Sequence, residues 1–218
     1  MFGLFSPLPR FPVTFSSLLE KTSYLIGRDL AANFTRQGLT IDVEALATGL
    51  RAALAGEPSA IGADEARAAM TQLQRELQAA HEAKAASAAD DNRRDGQAFL
   101  AKNGLRPEVT TTASGLQYEV LRPGTGPKPT RRDNVTTHYH GTLLDGTVFD
   151  SSVERDEPAT FPVSGVIAGW TEALQLMGTG AKWRLYVPSN LAYGAQGAGG
   201  DIGPNATLIF DVELLQVN

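Results

Sequence analysis

The sequence predicts an α+β chain: an all-helical N-terminal module ending in a long stalk helix, then an antiparallel sheet wrapped on one short helix. Three observations predict it. Residues from Phe15 to about Leu105 suit helices, with Ala very frequent, while β-branched and aromatic residues rise from Gly115 onward. In that second half Gly and Pro recur about every ten residues, the punctuation of short strands joined by turns. Between the halves, Arg106–Ser114 carries Pro107 and the run Thr110-Thr111-Thr112. Both features disfavour helix, so the boundary falls there.

Composition bounds the function. At 42% hydrophobic and 20% charged over 218 residues, the chain can bury a core and is no disordered tail. The net charge of −5 offers no basic excess. Residues 1–110 hold 12 basic and 13 acidic side chains, and residues 111–218 hold 7 and 11, so neither half suits nucleic acid. The absence of cysteine removes disulfides, thiolate nucleophiles and Cys-ligated zinc. Residues 1–15 are apolar but carry Pro7, Pro9 and Pro12 without a basic start, so they read as a loose leader and not a signal peptide. No stretch approaches the roughly 20 apolar residues of a membrane span. A soluble, cytoplasmic protein is expected, with periplasm and cell surface left open.

Each helix has its own signals. The first is expected over about Ser17–Gln37, where Leu18, Tyr24, Leu25, Leu30 and Phe34 form a stripe and Gly38 offers a stop. The second opens at the N-cap Asp42 and closes before Gly56-Glu57-Pro58, with Val43, Leu46, Leu50 and Leu54 on one face. Residues 16–62 thus form a small helical module whose stripes need a cover. Either a second copy or a fold-back onto the third helix supplies it. That third helix is expected over 63–105, on the order of 60 Å long. Met70, Leu73, Leu77 and Ala80 make an apolar seam, after which the sequence is Ala plus charge. An uninterrupted run from Ala63 to Asp95 favours a rigid stalk. Gly96 marks where it could bend.

The linker 106–114 leads to a domain over 115–218. Strands are expected near Leu116–Leu121, Asn134–Leu143, Thr147–Phe149, Ala159–Val163, Lys182–Val187 and Thr207–Gln216. Asp145-Gly146 turns a hairpin, and a short helix covers Gly169–Met177. The cleft between helix and sheet is the candidate site. Conventional chemistries fail there. Ser151, Ser152 and Ser164 lack a Gly-x-Ser-x-Gly setting. His138 and His140 share a strand face but have no third histidine or acidic cluster, so no metal is expected. Gly197-Ala198-Gly199-Gly200 lacks the Lys-Ser/Thr of a phosphate loop.

What remains is a set of large apolar side chains at turns and strand ends with one acid. The runs His138-Tyr139-His140-Gly141, Gly146–Ser152, Val166-Ile167-Ala168-Gly169-Trp170, Leu191-Ala192-Tyr193-Gly194 and Ala206–Leu214 resemble the FKBP-type peptidyl-prolyl cis–trans isomerases, in order and spacing. The match covers about residues 112–218. The first half resembles the helical module of the bacterial FklB/Mip subgroup, in which two chains dimerise through intertwined helices.

The resemblance implies a half-barrel sheet wrapped on the short helix, rotamase activity on Xaa-Pro bonds, no cofactor and no metal. It also implies a homodimer, proline-containing unfolded proteins as substrates, and macrolide inhibitors as ligands. It places Trp170 as the floor of the pocket and Tyr139, Phe149, Val166, Ile167 and Phe210 as its walls. The Ile167 N–H and the Tyr193 hydroxyl would hold substrate carbonyls. Asp150 would sit at the rim with Arg155 and Tyr139. Trp170 and Phe210 could also be plain core, and Phe161 is expected to be core behind the wall. Asp150 could cap a local turn through Ser152. Ala159 and Ala198 depart from the family pattern and open the rim, which points to weaker macrolide binding. A holdase chaperone in which isomerisation is secondary is the alternative.

Overall fold

The structure, a computed structural model, describes residues 14–218. Most of the leader therefore lies outside the described residues. The chain divides into two compact units, Met1–Ala80 and His81–Asn218.

In the first unit, α1 spans Leu18–Arg36 and α2 spans Val43–Leu54. Both start on side-chain caps. The Ser17 hydroxyl accepts the Glu20 N–H at 3.1 Å, and the Glu20 carboxylate reaches back to accept the Ser17 N–H at 2.9 Å. This reciprocal box satisfies donors that the first turn leaves open. Asp42 does the same for Ala45 at 2.9 Å. Beyond α1 the backbone turns at Gly38 with φ +71°, where a side chain would be strained. Among the described residues neither helix buries a single side chain. Leu18, Leu25, Leu46, Leu50 and Leu54 all stand in solvent in the lone chain. The fold-back offered as one cover does not bury these stripes.

The third helix, α3, is continuous over Ala63–Asn103. It passes through Gly96 without a break, and from His81 it belongs to the second unit. There Gly96 and Asn103 are buried. The Asn103 amide donates to Gln117 Oε1 at 2.9 Å, and Gln117 Nε2 donates to the Leu100 carbonyl at 2.9 Å. The end of the helix is thereby tied to the sheet.

The sheet has seven strands: β1 (Val109–Thr111), β2 (Gln117–Arg122), β3 (Asn134–Thr142), β4 (Val148–Ser151), β5 (Ala159–Pro162), β6 (Lys182–Val187) and β7 (Leu208–Val217). Their order is β1-β2-β6-β7-β3-β4, with β5 also paired to β3 and every pairing antiparallel. β1 lies within the expected linker. Its threonines resist helix, as expected, but they pair with β2 instead of forming a loose tether. The remaining elements start or end within a few residues of expectation. The short helix α4 covers Ala168–Leu176.

Alternation sorts the sheet's two faces. One transverse row runs Tyr118, Leu185, Phe210, Gly141, Asp150, and the next runs Glu119, Arg184, Asp211, His140, Ser151. The first row faces α4 and carries the core with Val212, Leu214, Leu174 and Met177. The second is the wet face, where Arg184 grips Asp211 through two hydrogen bonds of 2.6 and 2.7 Å.

Candidate active site

Where α4 starts, its first turn aims Trp170 at the sheet. The cap residue Ile167 offers its carbonyl to the Trp170 N–H at 3.0 Å. Among the described residues, the Ile167 N–H itself has no partner. The indole is 4% exposed and its N–H lacks a partner there too. Three rings stand on it: Phe210 at 5.2 Å and 82°, Tyr139 at 5.4 Å and 83°, and Phe161 at 5.6 Å and 58°. Phe149 meets Phe210 edge-on at 5.4 Å. Such edge-to-face packing is the favoured arrangement of aromatic quadrupoles, and it fixes a cup instead of a slab.

One irregularity completes the wall. Gly141 pairs with Asp150, yet its neighbour Thr142 pairs with Val148. Phe149 is thus the extra residue of a β-bulge. In a regular strand Phe149 and Asp150 would point to opposite faces; here both line the same cavity.

That cavity encloses about 690 Å³. Tyr139, Phe149, Asp150, Val166, Ile167, Trp170, Tyr193 and Phe210, all singled out from sequence, line it together. Arg155 does not line it but braces its rim. Phe161, expected to be core behind the wall, also lines it. Its ring is tilted on the indole and half-buried, packed against the core on one side and open to the cavity on the other. Gly165, Gly199, Asp201 and Ile202 line it as well. Sequence reasoning did not single them out as pocket residues, since short loops give no periodic signal.

The rim is a closed triangle of polar groups. The Tyr139 hydroxyl donates to Asp150 Oδ2 at 2.6 Å, and Arg155 donates to Asp150 Oδ1 at 2.5 Å and to the Tyr139 oxygen at 3.1 Å. Burial pushes the Asp150 carboxyl up, but the Tyr139 and Arg155 hydrogen bonds outweigh it and hold the group below the usual Asp range. Burial, then the hydrogen bond to Asp150, pushes the Tyr139 hydroxyl up. Asp150 therefore stays ionised and Tyr139 protonated near neutrality. The turn that Asp150 could have capped through Ser152 is not formed: its carboxylate takes Tyr139 and Arg155, and the Ser152 hydroxyl accepts the Tyr139 N–H at 2.7 Å.

The loop over residues 194–207 roofs one side. Ala198 and Ile202 exchange backbone hydrogen bonds of 2.9 and 3.2 Å, leaving Gly199, Gly200 and Asp201 at the tip. Its base is held by α3. Asn92 Nδ2 donates to the Pro204 carbonyl at 2.8 Å, and Asn205 Nδ2 to the Ala89 carbonyl at 3.3 Å. Gly96 packs so closely on Thr207 that a Cβ would overlap its hydroxyl.

His138 and His140 lie on the other face, bonded to Ser152 at 3.1 Å and Ser151 at 2.9 Å. Among the described residues no three His, Asp or Glu side chains come together as a metal site would need.

The fold is thus an antiparallel sheet crossed by one helix, with an aromatic cup at the helix start. Residues 126–215 match the family of FKBP-type peptidyl-prolyl cis–trans isomerases, and residues 19–120 match the domain found amino-terminal to them. The outer membrane protein MIP of Legionella longbeachae is 45% identical over 198 residues, covering 91% of this chain and 85% of its own. The FKBP-type 22 kDa peptidyl-prolyl cis–trans isomerase of Escherichia coli is 42% identical, covering 94% and 98%. The crystal structure of FkpA from Escherichia coli is similar, with a TM-score of 0.75 and 35% identity over 94% of this chain and 99% of that one. The chain belongs to the FKBP-type peptidyl-prolyl cis–trans isomerases, and it is an enzyme of that activity. Among the described residues no helix is long and apolar enough to cross a membrane.

Proposed function

We propose that the Trp170 cup isomerises Xaa-Pro bonds in folding proteins by solvation and positioning alone, and that two copies pair through α1 and α2 to present it. The observation that supports this is the convergence of three rings on one indole, with Phe149 edge-on to one of them, beside a backbone N–H that has no partner among the described residues.

Rotation about an Xaa-Pro bond faces a barrier of about 18–20 kcal/mol because resonance keeps the amide planar. Cis and trans differ little in energy, so the rate is the problem. Twisting breaks the resonance and lowers the charge separation of the carbonyl. A dry aromatic cup disfavours the polar planar amide relative to the twisted one. The prolyl ring rests on Trp170, with Tyr139, Phe149, Val166, Ile167 and Phe210 around it. The Ile167 N–H and the hydroxyl of Tyr193, a residue 42% exposed at the mouth, hold carbonyls of the chain while the amide turns. Asp150 and Arg155 keep Tyr139 in place.

Asp150→Ala leaves the Tyr139 hydroxyl without its acceptor and Arg155 with the Tyr139 oxygen alone. An interaction of about 1–3 kcal/mol translates into roughly a five- to hundredfold loss of kcat/KM in a proline-peptide assay. Unchanged turnover refutes the rim's role.

In this scheme residues 16–62 form the pairing module, 63–105 the connecting helix and 115–218 the isomerase domain, with 106–114 between them. The uncovered faces of α1 and α2 support pairing, since apolar patches of that extent mark interaction surfaces. Unfolded protein held between two arms gives the dimer a chaperone-like role secondary to isomerisation. The holdase alternative rests on those same faces and has no site of its own. Macrolides take the prolyl place in the cup, weakly because Ala159 and Ala198 leave the rim open. The outer-membrane name of one relative favours a site of action beyond the cytoplasm; cell fractionation decides it.

A further inference from the structure

We propose that Asp201, at the tip of the loop over residues 194–207, is a specificity residue that selects substrates with a lysine or arginine adjacent to the proline. This rests on the proline-ring reading of the cup. Among the residues lining the cavity only Asp150 and Asp201 carry charge. The charge of Asp150 is matched by Arg155 at 2.5 Å. Asp201 has no ion-pair partner among the described residues and is exposed at the mouth. The entrance is therefore left with one uncompensated negative charge.

The loop presents that charge without obstruction. Ala198, Gly199 and Gly200 precede it with almost no side-chain bulk, and Gly199 has φ +59°, a conformation that favours glycine. The Ala198–Ile202 pairing fixes the tip, and the Asn92 and Asn205 hydrogen bonds fix the base. The loop backbone is thus held beside the cup, and the Asp201 side chain stands exposed on it. A cationic side chain next to a bound proline can approach it, and an anionic one is repelled. Selection of this kind comes from both the attraction and the repulsion.

The test uses the full-length protein and three matched peptides with Lys, Leu or Glu before proline, plus a second set with those residues after it. In one of the two sets the ratio of kcat/KM for Lys over Glu should be about two- to fivefold, the range of an exposed ion pair, and it should shrink at molar salt. The effect should lie in KM. Asp201→Asn should bring the ratio close to one, and Asp201→Lys should invert it. Because each ratio is taken within one variant, a general change in activity cancels. A ratio that Asp201→Asn leaves unchanged in both sets overturns the inference while the cup reading stands. Wild-type protein that turns over none of the peptides overturns the cup reading and the inference together.

Discussion

A Cβ on residue 141 would meet the Phe149 ring at 2.7 Å and the Phe210 ring at 2.9 Å. Glycine there is what lets two aromatic edges close over one strand. Gly141→Ala is expected to splay the rings, costing about 1–3 kcal/mol of stability. A displacement of that kind should lower kcat/KM roughly ten- to hundredfold, read by peptide turnover alongside a melting curve. The rim predicts a pH profile. The folded Asp150 carboxyl lies below its ordinary 3.8 and the Tyr139 hydroxyl above its ordinary 10.0. Neither changes charge between about pH 5 and pH 9, so kcat/KM should be flat across that window. Stability contributed by ionised Asp150 is present above 3.8 and lost only as pH falls through the lower folded value. The residues that line this cavity were named from sequence only through the resemblance of five short runs to the FKBP-type isomerases; composition and periodicity alone pointed no further than a cleft between helix and sheet. Phe161 packs against the core as expected, and its ring also reaches the cavity, which alternation along β5 could not tell.

At the scale of elements, caps and turns are local and so were readable: Gly38 closes α1 and Asp42 opens α2 as expected, while the Ser17–Glu20 box was not read from sequence. The Glu20 carboxyl is held at about 2 by the Ser17 and Ser16 backbone hydrogen bonds, against an ordinary 4.5. Its support for α1 is therefore full above 4.5 and lost as pH falls toward 2. Circular dichroism of wild type against Glu20→Gln should show a difference in helicity at neutral pH that vanishes in acid. Strand pairing over long sequence distance was not legible, nor was the bulge at Phe149, because both depend on partners far along the chain. The hold of α3 on the 194–207 loop is of the same kind. Asn92→Ala removes a hydrogen bond worth about 1 kcal/mol net, so KM should rise roughly fivefold and amide exchange in the loop should quicken. Unchanged exchange would mean that α3 does not restrain it.

For the whole molecule, the proposed pairing would cover apolar stripes of α1 and α2 that the lone chain leaves exposed. Light scattering should give twice the 23.2 kDa chain mass. Leu50, 59% exposed in the lone chain, sits amid the α2 stripe, and Leu50→Asp should halve the mass while peptide turnover persists. Protein substrates should then refold more slowly. In the proposed scheme an aromatic hollow with no acid, base or nucleophile in play carries the catalysis. The ratio of kcat/KM in water to that in deuterium oxide addresses this. Twisting by solvation alone predicts a ratio of about 1 at every pH in the flat window, whereas a value of about 2 or more would reveal proton transfer in the rate-limiting step and contradict it.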